Sequence, residues 1–266
     1  MPLADIGGRT LYYERRGPQG APPLLLIQGM AGHHGIWGEP LLSRLERDFD
    51  VVAYDHRGVG DSTDVPGAFT TAELATDAIA LLDVLGWGSA HVFGISLGGM
   101  VAQELALAHP GRVRRLVLGC TYAGGAGSTL DAPGPMRMLE AMNTGDAEAS
   151  VRAAFHANLS STYTADDSRF QPFMTAALSV VVPVALVLRQ AQSALQHSTS
   201  ERLPVLGAPT LVVHGNADEM VRYSNGVQIA GLIPGARLHT FDGVGHLFWW
   251  ERPADTAEVI RQHCLS

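Results

Sequence analysis

The sequence contains no lysine; all 18 of its basic residues are arginine. A lysine nucleophile or Schiff base is therefore excluded. The chain is acidic, with net charge -8 at pH 7, and its densest basic spot is only Arg112, Arg114 and Arg115. Without an extended basic stripe, neither nucleic acid nor a membrane is an expected partner. Cysteine is scarce too: Cys120 and Cys264 are too few for a disulfide framework. No apolar run reaches the ~20 residues that span a bilayer; the longest, residues 174–188, is broken by Pro183. The opening stretch MPLADIGGRTLYY lacks the apolar segment of a signal peptide. These absences lead to the expectation of a soluble, cytoplasmic protein.

What is present is the composition of a globular body with a large core: 46% hydrophobic and 17% charged residues over 266 positions. Short apolar runs recur, at residues 23–27 (PLLLI), 50–54 (DVVAY), 90–95, 115–119, 210–214 and 237–241. Runs this apolar and this short suit strands of a parallel sheet covered on both faces. Helical spacing occupies residues 37–47, 71–85, 97–109 and 253–264 between and after them. Tyr12 and Tyr13 are expected on an antiparallel edge strand. The alternation implies an α/β fold, a mostly parallel doubly wound sheet.

One connection breaks the rhythm. Links in such folds run ~2–6 residues, yet the stretch from Cys120 to Pro209 is many times longer and opens with Gly124, Gly125, Gly127, Pro133, Gly134 and Pro135. It reads as helical over residues 136–142, 147–159 and 170–194. We expect residues 124–205 to form a helical cap inserted in a core of residues 1–123 and 206–266, lying over the sheet's carboxyl edge. A separate all-α domain is the alternative.

The stretch HVFGISLGGMVAQ (residues 91–103) places Ser96 between two glycines, where a strand gives way to a helix. In a G-x-S-x-G turn of this kind the serine hydroxyl projects from the sheet edge, and the helix amino end offers free N–H groups to an anion. A nucleophilic serine needs a base and the base needs an orienting acid. Asp218 in VVHGNADEMV and His246 in FDGVGHLFWWERP both follow expected strands. Glu219 and Asp242 compete with Asp218, but Asp242 is expected to turn away at the strand exit. Of the other histidines, His214 reads as structural, and His109 and His263 as surface residues.

Together these pieces resemble the α/β-hydrolase superfamily over nearly the whole chain. LLLIQGMAGHHGIW (24–37), VVAYDHRGVGDS (51–62), the serine turn, PTLVVHGNADEMV (209–221) and GVGHLFWWERP (243–253) carry the likeness in order. The chain is similar to the small capped esterase and lactonase type, which includes enol-lactonases and polyketide methylesterases. The resemblance implies a triad of Ser96, Asp218 and His246, and an oxyanion hole of the Met30 and Leu97 backbone N–H groups. Gln28-Gly29 stands where many relatives carry His-Gly. Asp55 and Arg57 are expected to tie loops together rather than to react. Gln28, Gly29, His33, Trp37, Met138, Met142, Phe155, Phe173 and Leu247 are expected to contact substrate, with Val181, Phe248 and Trp249 as further apolar candidates. Adjacent His33 and His34 lack a third ligand at metal spacing, so no metal is expected, nor any cofactor.

The expected activity is hydrolysis of a small carboxylic ester or lactone with an apolar or aromatic part, through an acyl-enzyme on Ser96. A cofactor-free peroxidase, a C–C hydrolase or a lyase on the same triad is the alternative, and a non-catalytic ligand receptor a further one. A monomer or homodimer is expected.

Overall fold

Leu24 and Leu26 point to one side of their strand and Leu25 and Ile27 to the other, and all are buried. That is possible only where a strand is covered on both faces, and it fixes the architecture. The computed structural model describes residues 2–143 and 145–266. In chain order the elements are β1 (Leu3–Asp5), β2 (Thr10–Arg16), β3 (Pro23–Ile27), α1 (Glu39–Leu45), β4 (Asp50–Tyr54), α2 (Thr71–Val84), β5 (Ala90–Ile95), α3 (Leu97–Ala108) and β6 (Val113–Gly119). Five helices follow: α4 (Gly134–Met142), α5 (Ala147–Asn158), α6 (Ser161–Thr164), α7 (Phe170–Ala177) and α8 (Val184–Gln196). The chain then returns through β7 (Thr210–Gly215), α9 (Tyr223–Leu232), β8 (Arg237–Phe241), α10 (Phe248–Glu251) and α11 (Pro253–Leu265).

The eight strands form one sheet in the order β1-β2-β4-β3-β5-β6-β7-β8. β1, β2 and β4 pair antiparallel; every pair from β4 to β8 is parallel. The strand order reverses at β3 and β5, so the loops leaving these two strands flank the switch point where such sheets bind ligands. One core, built around Leu25, Val52, Leu81 and Val101, packs α2 and α3 onto one face. The other, built around Leu26, Trp37, Phe93 and Ile260, packs α1 and α11 onto the opposite face. Each such side chain contributes ~1.5–3 kcal/mol on burial.

Several boundaries differ from expectation for local reasons. The helix expected at 37–47 starts at Glu39, because Gly38 takes φ 73° after a 3-10 turn at His34–Trp37. The helix expected at 170–194 is split into α7 and α8; Pro183 lacks an N–H and disfavours helical geometry in the residue before it. Tyr12 and Tyr13 do lie on an antiparallel strand, but β1 covers its outer side, so β2 is not the edge. The α2 start carries a capping box between Thr70 and Glu73. Among the described residues no helix is long and apolar enough to cross a membrane.

Candidate active site

Ser96 lies directly between β5 and α3, with φ 51° and ψ -121°. A non-glycine residue holds this left-handed conformation only when its surroundings impose it. They do: the Ser96 N–H donates to Gly119 O at 2.9 Å, and Thr121 Oγ1 donates to Ser96 O at 2.7 Å. Gly94 and Gly98 make the turn possible. A Cβ on Gly98 would overlap the Ile27 and Gln28 carbonyl oxygens, and one on Gly94 would overlap Gly98 O. The first turn of α3 thus sits against the carboxyl end of β3.

Asp218 follows β7 and His246 follows β8, as their sequence positions implied. Asp218 is 5% exposed and His246 4%. His246 Nδ1 is 2.7 Å from Asp218 Oδ2. Asp218 Oδ1 accepts the N–H groups of Met220 (2.7 Å) and Val221 (2.9 Å). Burial alone would raise the Asp218 pKa, but His246 and His214 beside it prevail and hold the carboxyl well below the usual range. An ionised Asp218 only accepts, so His246 carries its proton on Nδ1 and leaves Nε2 as a base. Ser96 and His246 line the same cavity. Among the described residues no hydrogen bond joins Ser96 Oγ to His246; in such sites that bond tightens when substrate is present.

The Met30 and Leu97 N–H groups have no hydrogen-bond partner among the described residues. Two donors beside the serine, one at the amino end of α3, are suited to a developing oxyanion.

Two apolar cavities meet at Ser96, Met30 and Met220. The smaller, about 180 Å³, includes Gln28, Phe173, His246 and Leu247; the larger, about 260 Å³, includes Leu97, Met100, Tyr122 and Leu195. Among the described residues no Asp, Glu or Arg lines either one.

Of the expected substrate contacts, Gln28, Gly29, Met138, Phe173 and Leu247 lie on the smaller cavity. Three do not. Trp37 is core, its ring 5.0 Å from Phe93 and 5.3 Å from Trp249. Phe155 is buried among Phe170 and Phe173 as the core of the helical insertion. His33 packs beside the loop, its Nε2 3.1 Å from Ala176 O in α7. The side chain of Met142 lies outside the described residues. Val181 is 81% exposed, and Phe248 and Trp249 are core. Asp242 turns to Asn216, as expected. Asp55 faces His34 at 2.9 Å and Arg57 pairs with Asp77 at 2.7 Å, both loop ties. His263, expected at the surface, is buried against the Leu116 and Pro209 carbonyls.

Sequence reasoning missed two neighbours of the pair. Cys120 follows β6, and its thiol lies within 4.8 Å of the Asp218 and His246 ligand atoms. Burial and then the Asp218 charge push that thiol's pKa up, so it stays protonated. His214 was read as structural, but its Nε2 is 3.1 Å from Asp218 Oδ2.

The family comparison agrees with the fold. Residues 22–253 match the alpha/beta hydrolase fold family. The chain belongs to that family, and its relatives include proteins named as hydrolases. It is 31% identical to a protein of Azorhizobium caulinodans named provisionally as the carbamate hydrolase RutD, over 99% of this chain and 98% of that one. It is 28% identical to 3-oxoadipate enol-lactonase 1 of Acinetobacter baylyi, over 97% and 94%. Among solved structures, a hydrolase from Pseudomonas aeruginosa superposes with TM-score 0.85 at 28% identity, covering 100% of this chain and 98% of that one.

Proposed function

We propose that the protein is a serine hydrolase of uncharged carboxylic esters or lactones. The observation that carries this reading is that His246, 2.7 Å from Asp218, lines one cavity with a serine held at φ 51°. Ser96 Oγ attacks the substrate carbonyl while His246 Nε2 takes its proton. Asp218 fixes the imidazole tautomer and stabilises its charged form. The oxyanion is held by the Met30 and Leu97 N–H groups, each worth ~3 kcal/mol in such sites. Collapse of the tetrahedral intermediate breaks the C–O bond, and His246 returns the proton to the leaving oxygen. Water then attacks the acyl-enzyme with His246 again as base, releasing the acid and Ser96.

The two cavities sort the substrate. The leaving oxygen must reach His246, so the alcohol side occupies the smaller cavity, which His246 lines; the acyl side is left the larger. Walls without charge favour an uncharged ligand, because a buried unpaired charge is costly. A carbamate and a lactone, the substrates named for two relatives, share a carbonyl bonded to a heteroatom, and acyl transfer covers both.

The test is labelling with a fluorophosphonate, Ser96→Ala as control, beside hydrolysis of p-nitrophenyl acetate and butyrate. Stoichiometric labelling lost in the variant, with ester turnover, supports the reading. Labelling with peroxide-dependent turnover alone would move the protein to the peroxidase class. Absence of labelling would remove Ser96 as nucleophile.

A further inference from the structure

We infer that Gln190, on α8 of the helical insertion, is a positioning residue that sets the oxyanion hole from above. The inference rests on the serine-hydrolase reading. In the loop after β3, the Gly29 N–H donates to Gln28 Oε1 at 2.9 Å. Two residues on, the Ala31 N–H donates to Gln190 Oε1, also at 2.9 Å and across 159 positions of chain. The Met30 N–H between them has no partner among the described residues. Two glutamine carbonyls thus occupy the flanking amides and leave the middle one for the substrate oxygen.

The loop does not hold this shape alone. Ala31 sits at φ 58°, a left-handed conformation that a residue with a Cβ adopts under constraint. Gln190 supplies the constraint, and its own surroundings show no packing reason for an amide. It is 0% exposed, shares a helix face with Leu186, and its Nε2 has no partner among the described residues. A leucine would fill the space without stranding a donor; what leucine lacks is an acceptor for Ala31 N–H.

α8 is clamped on both sides of Gln190. Arg189 pairs with Asp64 at 2.8 Å and donates to Val65 O at 2.6 Å, and Tyr122 Oη donates to Ala194 O at 2.6 Å. The oxyanion loop is therefore in its working shape only while α8 is seated on the core, and the seating of the insertion is coupled to the chemical step.

The test is Gln190→Met, which keeps the length and removes the acceptor. With p-nitrophenyl butyrate, kcat is expected to fall about 10- to 100-fold while KM changes by less than about threefold. Affinity for 1,1,1-trifluoroheptan-2-one, whose hemiketal with the serine carries the oxyanion, should fall by the same factor as kcat. Arg189→Ala, which loosens α8 without touching the loop, should show the same signature more weakly. Leu188→Ala, on the exposed side of α8, should show none of it. Should Gln190→Met not fold, Gln190→Asn, too short to reach Ala31, takes its place. Unchanged kcat and ketone affinity would overturn the proposal. So would a fall in kcat with ketone affinity intact, which marks a packing role. A wild-type protein that no fluorophosphonate labels would overturn the serine-hydrolase reading and this proposal with it.

Discussion

His214 and His246 meet on a single oxygen, Asp218 Oδ2, at 3.1 and 2.7 Å. His214 Nε2 also faces the Val221 carbonyl at 3.0 Å, so that nitrogen carries the ring proton. Its Nδ1 has no partner among the described residues, and the ring is fully buried against Gly226. Asp218 is thus oriented by a second imidazole as well as by two backbone amides. His214→Phe removes that donor and keeps the volume. A hydrogen bond to a charged group is worth ~1.5–3 kcal/mol, so kcat/KM for p-nitrophenyl butyrate is expected to drop about tenfold. Wild-type kinetics in the variant would reduce His214 to packing.

Gly98→Ala is expected to be among the most damaging single-methyl changes in the chain. Its Cβ would meet backbone oxygens of Ile27 and Gln28, which have no room to retreat in a parallel sheet. Overpacking costs about 1–3 kcal/mol where side chains give way and more where backbone must. A urea titration should show a loss of at least about 3 kcal/mol, or no folded protein. A stable, active variant would show that α3 can slide away from β3.

Acid should destabilise the fold before its carboxylates titrate. Burial, with nearby arginines, lowers the pKa values of His91, His197 and His263 to about 4. An unfolded histidine takes its proton near ~6.5. Between those values the unfolded chain binds more protons, so stability is complete above ~6.5 and falls as pH drops toward 4. His34 works the other way: burial disfavours its charge, but the Asp55 carboxylate prevails and raises its pKa. One histidine opposes six, because burial also lowers the pKa values of His33, His56 and His239. The urea midpoint should fall from pH 7.5 to pH 5, and His263→Gln should flatten the slope. A midpoint constant over that span would contradict the assignment of neutral buried rings.

Substrate charge should matter more than substrate size. The p-nitrophenyl monoester of succinic acid, with a free carboxylate on its acyl arm, is expected to turn over about 100-fold more slowly than p-nitrophenyl butyrate. The two have acyl chains of the same length. Comparable rates would mean that an arginine outside the two cavities reaches the acyl group.

The acyl arm can be located by filling its space. Ala191 lines the larger cavity and Ala177 the smaller. Ala191→Phe should lower the ratio of p-nitrophenyl butyrate to acetate turnover by about tenfold or more, while Ala177→Phe should leave that ratio near its starting value. The reverse pattern would exchange the two arms.

Much of this molecule was legible in its sequence, and the limits have physical causes. PLLLI and DVVAY read as buried strands because residues flanked on both faces lose the polar alternation of a half-exposed strand. That Ser96, Asp218 and His246 lie at one edge of the sheet was legible because each follows a strand that could be recognised. Trp37 and Phe155 misled because an aromatic residue looks the same in sequence whether it faces a cavity or the core. His214 and Gln190 gave no local signal. One acts through a carboxylate four residues away that a loop must first fold back, the other through an amide on a different layer of the protein.

The helical insertion touches the core at a second sensitive place. Asn158 O accepts the N–H of Leu247, beside His246, at 2.9 Å, and Glu251 accepts both the Gly245 and the Ser160 N–H at 2.8 Å. One arm of the insertion therefore braces the loop that carries His246 and the other reaches the loop after β3 at Ala31. The two parts of the fold are not interchangeable modules. A chimaera that exchanged the insertion for a relative's would exchange supports of the active site along with the binding walls. Altering specificity this way would succeed only where the donor supplied both an acceptor for Ala31 and a backbone edge for residues 245–247.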